Sequence, residues 1–216
     1  ELNQIKHKVI KEMLKQYKIK EGLEIHYDGD LPARSGMGSS SVFVVGLMNL
    51  LNTFRKYRIS KLELAKNSIH FEQKILNEVV GSQDQIAAVY GGFNKIIFNR
   101  GGKFKVNSLD IKKNTINNLN KNLLLVYTGL KRTAHEIAKS YVNKLRTSKK
   151  TYILEIINLV NEAEKALKEG RLNDFGKLLH KSWLLKKKLS LSITNSKIDE
   201  IYNSALKQGA LGGKLL

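Results

Sequence analysis

Residues 36–51, GMGSSSVFVVGLMNLL, set a Gly-Met-Gly turn and three serines directly ahead of an apolar stretch with no charge from Ser39 to Leu51. A helix without a polar face has to be buried on nearly all sides. The stretch therefore predicts a central core helix around which the rest of the chain is laid. The glycines of the turn let the backbone adopt left-handed conformations and let a ligand approach it closely. The first turn of the helix offers N–H groups without intrahelical acceptors, and phosphate suits such an end. The run from Val42 to Leu51 is about ten residues, too short to span a bilayer, and the polar opening ELNQIKHKVIKEMLKQ does not read as a signal peptide.

A chain of 216 residues that is 42% hydrophobic can bury a substantial core, as one large or two small domains. The absence of cysteine excludes disulfides and thiolate metal sites and fits a reducing, cytoplasmic setting. The formal charge of +19 raises the question of a nucleic-acid partner. The lysines are spread over KHKVIKEMLKQYKIK, SKK and LLKKKLS and interleaved with Ile, Leu and Asn, which reads as a solvated basic surface. Such a surface also draws in nucleotides and phosphorylated substrates.

Periodicity predicts an amphipathic helix over 2–17 and a half-exposed strand over 22–28, GLEIHYD, followed by the buried helix after the glycine turn. A further helix over 60–78 opens on Ser60 and Glu63 with capping-box spacing. GGFNKIIFN and GKFKVNSLD read as a hairpin around Arg100, Gly101 and Gly102. In the second half, KNLLLVYTG reads as a short apolar strand. Four helical patterns follow, with Gly170 and Gly209 where helices should stop. The stretch 112–122, KKNTINNLNKN, is the best candidate for a boundary between two α+β lobes.

The glycine turn does not match the commonest phosphate loops. No lysine follows Gly38, as a P-loop requires, and Ser41 stands where a dinucleotide fingerprint needs its third glycine. What remains, Pro-x-x-x-Gly-x-Gly-Ser-Ser-Ser over Pro32–Ser41, resembles the second motif of the GHMP small-molecule kinases. FEQKILNEVVGSQDQIAAVYGGFN is similar to the family segment that carries a helical glutamate, an aspartate after a glycine-containing turn and a Gly-Gly strand start. LLLVYTGLKRTAHEI resembles the opening of the second lobe, and GALGGKLL the lead-in to the glycine-rich third motif. Within the family, the chain resembles the D-glycero-D-manno-heptose phosphate kinases.

The resemblance implies an α+β, two-lobe fold with a ribosomal protein S5 domain 2-like N-terminal lobe over 1–115 and a ferredoxin-like C-terminal lobe over 116–216. It also implies family sequence ahead of Glu1 and beyond Leu216. The implied activity is ATP-dependent phosphorylation of a sugar phosphate, D-glycero-D-manno-heptose 7-phosphate first, in nucleotide-activated heptose synthesis. ATP and Mg²⁺ are the implied cofactors, and no nucleic-acid or membrane partner is expected. Pro32, Gly36, Met37, Gly38, Ser39, Ser40 and Ser41 are the implied nucleotide-binding residues, Ser40 and Glu72 the implied metal ligands with Ser39 as the nearest substitute, and Asp84 the implied base. Another sugar or alcohol as substrate, or nucleic-acid binding through an S5-like lobe, are the alternatives.

Two readings of the residues stand beside these roles. Glu72 could be a helix-surface charge paired with Lys66. Ser82 and Gln85 have capping-box spacing, which puts Asp84 in the first turn of QDQIAAVY, where the helix dipole favours the ionised carboxylate. Arg132, after Thr128-Gly129, could meet a sugar phosphate or lie on the surface. The five histidines lack ligand spacing, and Trp183, among Leu179, Leu184 and Leu185, reads as packing.

Overall fold

The computed structural model describes residues 2–29, 36–129, 139–145 and 147–215. They fall into two compact units that part between Gly92 and Phe93. In the first unit, a short 3-10 turn at Leu2–Gln4 precedes α1, Lys8–Gln16, which is shorter than the predicted 2–17 because His7 caps its start by accepting from the Ile10 N–H. α2 is Ser39–Phe54, and α3, Lys61–His70, passes without a break into a π turn at Phe71–Ile75. α4 is Gln83–Tyr90.

The core of this unit gathers Met13 and Leu14 of α1, Val44, Val45, Leu47, Met48 and Leu51 of α2, and Leu64 and Phe71 from α3 and the π turn. α2 is the centre that the charge-free stretch predicts, but it is not buried all round. Val42, Leu50 and Phe54, separated in turn by eight and four residues, are about half exposed. Its far end is fastened to α1: Asn52 donates to the Tyr17 hydroxyl at 2.7 Å, and Arg55 donates to the carbonyls of Tyr17 and Lys18.

The predicted strand over 22–28 is not in a sheet among the described residues. Its alternation is nonetheless used, since Leu23 and Ile25 pack on the core while Glu24 and His26 are exposed and bond each other. The alternation identifies the inward side chains, but a strand also needs a backbone partner. At Ser60 the predicted cap forms by half. The Ser60 hydroxyl accepts from the Glu63 N–H at 3.2 Å, whereas the Glu63 carboxylate accepts from the Tyr57 hydroxyl instead of reaching back.

In the second unit, β1, Asn94–Phe98, pairs antiparallel with β2, Phe104–Ser108, in the register Asn94 to Ser108 and Phe98 to Phe104, as the predicted hairpin requires. α5 is Lys113–Lys121, α6 Lys150–Lys168, α7 Leu172–Lys187 and α8 Ser196–Lys207. The first compact unit ends at Gly92, ahead of the expected domain boundary at 115/116. The stretch 112–122 forms helix α5, whose Leu119 packs with Ile111 and Leu167. Lys95 of β1 also bonds Asn161 and Glu164 of α6 at 2.7 Å each. Among the described residues, the apolar stretch 123–127, predicted as a strand, carries no strand pairing, and it is exposed. Trp183 is core, as expected, with Leu189, Ile193 and Ile198.

Candidate active site

The site lies within the first unit and is built from the turn before α2, the π turn and the start of α4. Gly36 and Gly38 have φ of 81° and 72°, the left-handed region in which a side chain is strained. Gly38 is the N-cap of α2 and, having no side chain, makes no cap bond to that end. The Gly38 carbonyl accepts the first intrahelical bond, from Val42 N–H at 2.9 Å. The early N–H groups of Ser39–Ser41 lie ahead of that bond and have no intrahelical acceptor. A Cβ placed on Gly38 would sit 3.5 Å from Cβ and Cγ of Asp84 and 3.6 Å from its Oδ2. The glycine thus permits the turn to lie directly against this carboxylate, 46 positions away in sequence.

The three serines differ in their surroundings. Ser39 is half-buried, Ser40 is exposed and Ser41 is buried. It is Ser41, not Ser40, that meets Glu72: its hydroxyl lies 2.9 Å from Oε2 and 3.2 Å from Oε1. Glu72 is 1% exposed and sits on the π turn. The surface reading with Lys66 as its partner is therefore set aside. A π turn widens the helix by one residue and changes which way its side chains face, a device frequent at functional sites. Burial pushes the Glu72 carboxyl above its ordinary value, the bonds from Gln85 and Ser41 act against that, and the nearby charges of Glu78 and Asp84 add to the rise.

Ser82 and Gln85 do not form the predicted capping box. The Ser82 side chain makes no cap bond to α4; its hydroxyl instead accepts from Gln73 Nε2 at 3.3 Å, and Gln73 Nε2 also reaches the Val80 carbonyl at 2.9 Å. Gln85 is fully buried and its amide nitrogen donates to Glu72 Oε2. Both side chains bond to the π turn instead of to the helix end, Gln85 to a carboxylate and Ser82 to the Gln73 amide. Asp84 does lie in the first turn of α4, exposed, as expected. Met37 is exposed beside Gly36 and Gly38. Pro32 and Arg132 lie outside the described residues.

Glu72 and the Ser41 hydroxyl bonded to it offer oxygen ligands to a prospective ion, and the Asp84 charge adds to the rise of the Glu72 pKa. Gln85 Oε1 is buried and has no hydrogen-bond partner. One or two carboxylates and neutral oxygens suit Mg²⁺, which keeps several waters and takes substrate phosphates as further ligands. A cation would also offset the repulsion between the two carboxylates. The residues therefore fit a magnesium ion, although among the described residues no three His, Cys, Asp or Glu side chains cluster as an all-protein metal cage. Gln85 is the participant that sequence reasoning missed. Its spacing from Ser82 suggested a local helix cap, and no linear signal marks a bond from Gln85 to a side chain 13 positions upstream.

This arrangement sets a left-handed glycine turn and the start of α2 beside two carboxylates. The chain belongs to the GHMP kinase family: the family's N-terminal domain matches residues 3–92 and its C-terminal domain residues 163–216. It is 34% identical to the D-glycero-alpha-D-manno-heptose 7-phosphate kinase of Campylobacter jejuni over 88% of this chain and 56% of that protein. It is 26% identical to the galactokinase of Pyrococcus furiosus over 92% of this chain and 62% of that one. The crystal structure of a D-glycero-D-manno-heptose 1-phosphate kinase from Bacteroides thetaiotaomicron superposes with a TM-score of 0.71 at 24% identity, covering 96% of this chain and 60% of the other, and so supports the fold. The chain thus spans between half and two thirds of the length of these relatives. Among the described residues, no helix is long and apolar enough to cross a membrane.

Proposed function

We propose that this chain carries the phosphate-binding and catalytic carboxylate residues of an ATP-dependent kinase whose acceptor is a sugar phosphate, with D-glycero-D-manno-heptose 7-phosphate the first candidate. The observation that carries the reading is the contact between the left-handed Gly38 and the Asp84 carboxylate, beside the buried Ser41–Glu72 pair. It supports a phosphate on the turn and a proton acceptor within reach of it. The candidate substrate rests on the name of the Campylobacter relative.

In this reading the N–H groups from Gly36 to Ser41 hold the nucleotide phosphates, helped by the positive end of α2. Glu72 and Ser41, with Ser40 or Ser39 from the exposed side, would hold magnesium, which neutralises phosphate charge when bound. Asp84 accepts the proton of the attacking hydroxyl, or orients that hydroxyl if transfer is late. The new bond forms between the hydroxyl oxygen and the γ-phosphorus, the bond from that phosphorus to the β,γ-bridging oxygen breaks, and ADP leaves.

Gly38→Val tests the reading. A branched side chain at φ of 72° would be strained and would project against Asp84 across the phosphate path. ATP binding by calorimetry is expected to disappear while the helical circular dichroism is retained. A folded Gly38→Val variant with unchanged ATP affinity would remove the turn from the site. A panel of sugar phosphates, assayed with the whole protein, tests the acceptor.

A further inference from the structure

Gln85 is the most enclosed polar side chain at the site and the one with the most unusual bonding. It is fully buried, its Nε2 donates to Glu72 Oε2, and its Oε1 has no partner. The orientation of the amide follows from chemistry: turned over, it would press a carbonyl oxygen against a carboxylate. Burying an amide oxygen without a partner is costly, so another advantage has to hold the side chain there.

Two links run in parallel between the π turn and the start of α4. Glu72 is held by Gln85, and the next residue, Gln73, donates to Ser82 and to the Val80 carbonyl. Asp84 lies between Ser82 and Gln85 in the chain and is exposed. Its placement against Gly38 is therefore inherited from the two residues on either side that are tethered. Ser41, the third partner of Glu72, is in the first turn of α2, three residues after the Gly38 position that Asp84 faces.

Resting on the kinase reading above, we infer that Gln85 is a positioning residue. It fixes the direction of the Glu72 carboxylate toward the cation and, by fastening the first turn of α4 to the π turn, sets the separation of Glu72 from Asp84. Gln85 itself touches neither nucleotide nor acceptor. It acts through the two carboxylates, as outer-shell partners do when they orient a ligand group and raise metal affinity.

The test is made on the whole protein, with Mn²⁺ as the spectroscopic stand-in for Mg²⁺. Gln85→Met keeps the volume and removes the donor. Electron paramagnetic resonance titration in the presence of ATP is expected to show Mn²⁺ affinity lowered about tenfold. With a sugar-phosphate acceptor, kcat is expected to fall at saturating magnesium while KM for the acceptor changes by less than about twofold. The exchange variant Glu72→Gln with Gln85→Glu restores an amide–carboxylate pair with its ends reversed. It is expected to recover the melting temperature lost in Gln85→Met and not the metal affinity.

Unchanged Mn²⁺ affinity and kcat in folded Gln85→Met would overturn the inference, as would an exchange variant that recovers metal affinity together with stability. If Gln85→Met does not fold, Gln85→Asn, which withdraws the amide by one methylene, takes its place: lowered Mn²⁺ affinity and kcat support the positioning role, and unchanged values overturn it. Wild-type protein that binds no Mn²⁺ with ATP would overturn the kinase reading and the Gln85 role together. Wild-type binding unaltered by the Gln85 substitutions would overturn only the latter.

Discussion

Asp84 and Glu72 are both carboxylates, but the environments around them differ. Glu72 is enclosed, accepts bonds from Ser41 and Gln85, and is raised above its ordinary pKa mainly by burial. Asp84 is exposed in the first turn of α4 and faces a glycine. In the whole protein, Glu72→Gln is expected to raise the magnesium concentration needed for half-maximal rate and to be partly rescued by more magnesium. Asp84→Asn should leave nucleotide affinity nearly unchanged and lower kcat by on the order of 10²-fold or more. Near-normal kcat in Asp84→Asn, together with a Glu72→Gln defect beyond magnesium rescue, would reverse the two roles. The glycine turn stands out in the sequence by residue type and local spacing, whereas Glu72 and Asp84 are singled out only through the resemblance to the family. The bond from Ser41 to Glu72 is not legible there. Which of three consecutive serines turns inward depends on the phase of α2 against the π turn, and the π turn itself has no signature in FEQKI. Gln85 is obscured for a related reason: its spacing from Ser82 fits a helix cap that the tertiary bonds override.

Among the elements, helices and the hairpin follow from period and turn residues, whereas 22–28 and 123–127 do not become paired strands among the described residues. Apolar alternation or an apolar run specifies a side-chain pattern; the pairing partner is a separate, non-local condition. The tail that begins at Ala210 shows a second kind of non-local constraint. A Cβ on Gly212 would overlap the Gly176 carbonyl oxygen and lie 2.6 Å from His180 N, both backbone atoms of α7, whereas one on Gly176 would meet the Leu211 side chain at 2.8 Å. Leu211 Cβ is itself fixed to the backbone, but a single 2.8 Å contact is relieved by a smaller shift than the two shorter contacts of Gly212 with the α7 backbone. Gly212→Ala is therefore expected to cost about 1–3 kcal/mol by overpacking, and Gly176→Ala clearly less, as read by denaturant unfolding. Equal losses would mean that the tail does not lie against α7 as described. The tie between β1 and α6 gives a pH prediction. Lys168 and Lys95 bond Glu164 at 2.7 Å and hold its carboxyl at about 2, below the ordinary 4.5. A depressed carboxylate contributes stability above its unfolded pKa and loses it as pH falls toward the folded one. Wild type is thus expected to melt above Glu164→Gln at about pH 7, with the gap closing between about pH 4.5 and 2. A gap that persists unchanged to the acid end of that window would assign the difference to packing.

At the scale of the whole molecule, composition and pattern give an α+β protein with two units, and the family match agrees with that division, its N-terminal domain ending at residue 92 where the first compact unit does. The polar stretch 112–122, read as the candidate boundary, holds α5, whose polarity marks an outer face while Thr115 and Leu119 are buried on the other side. The charge of +19 is the remaining property of the molecule as a whole, with 38 basic residues against 19 acidic. The ion pairs of the described residues are few and mostly at the surface, where each contributes little, so repulsion among the unbalanced lysines should be the larger electrostatic effect on stability. Screening shortens from about 30 Å at 0.01 M to about 8 Å at 0.15 M ionic strength. The melting temperature is therefore expected to rise as sodium chloride is raised over that range, by roughly 2–4 °C for each 1 kcal/mol of repulsion relieved. Chloride is the appropriate salt, since sulfate or phosphate would also act by occupying the anion site. A melting temperature that falls steadily with sodium chloride would show that the ion pairs outweigh the net charge. Repeating the titration with Gly38→Val separates general screening from occupancy of the turn, because screening alone should shift both proteins equally.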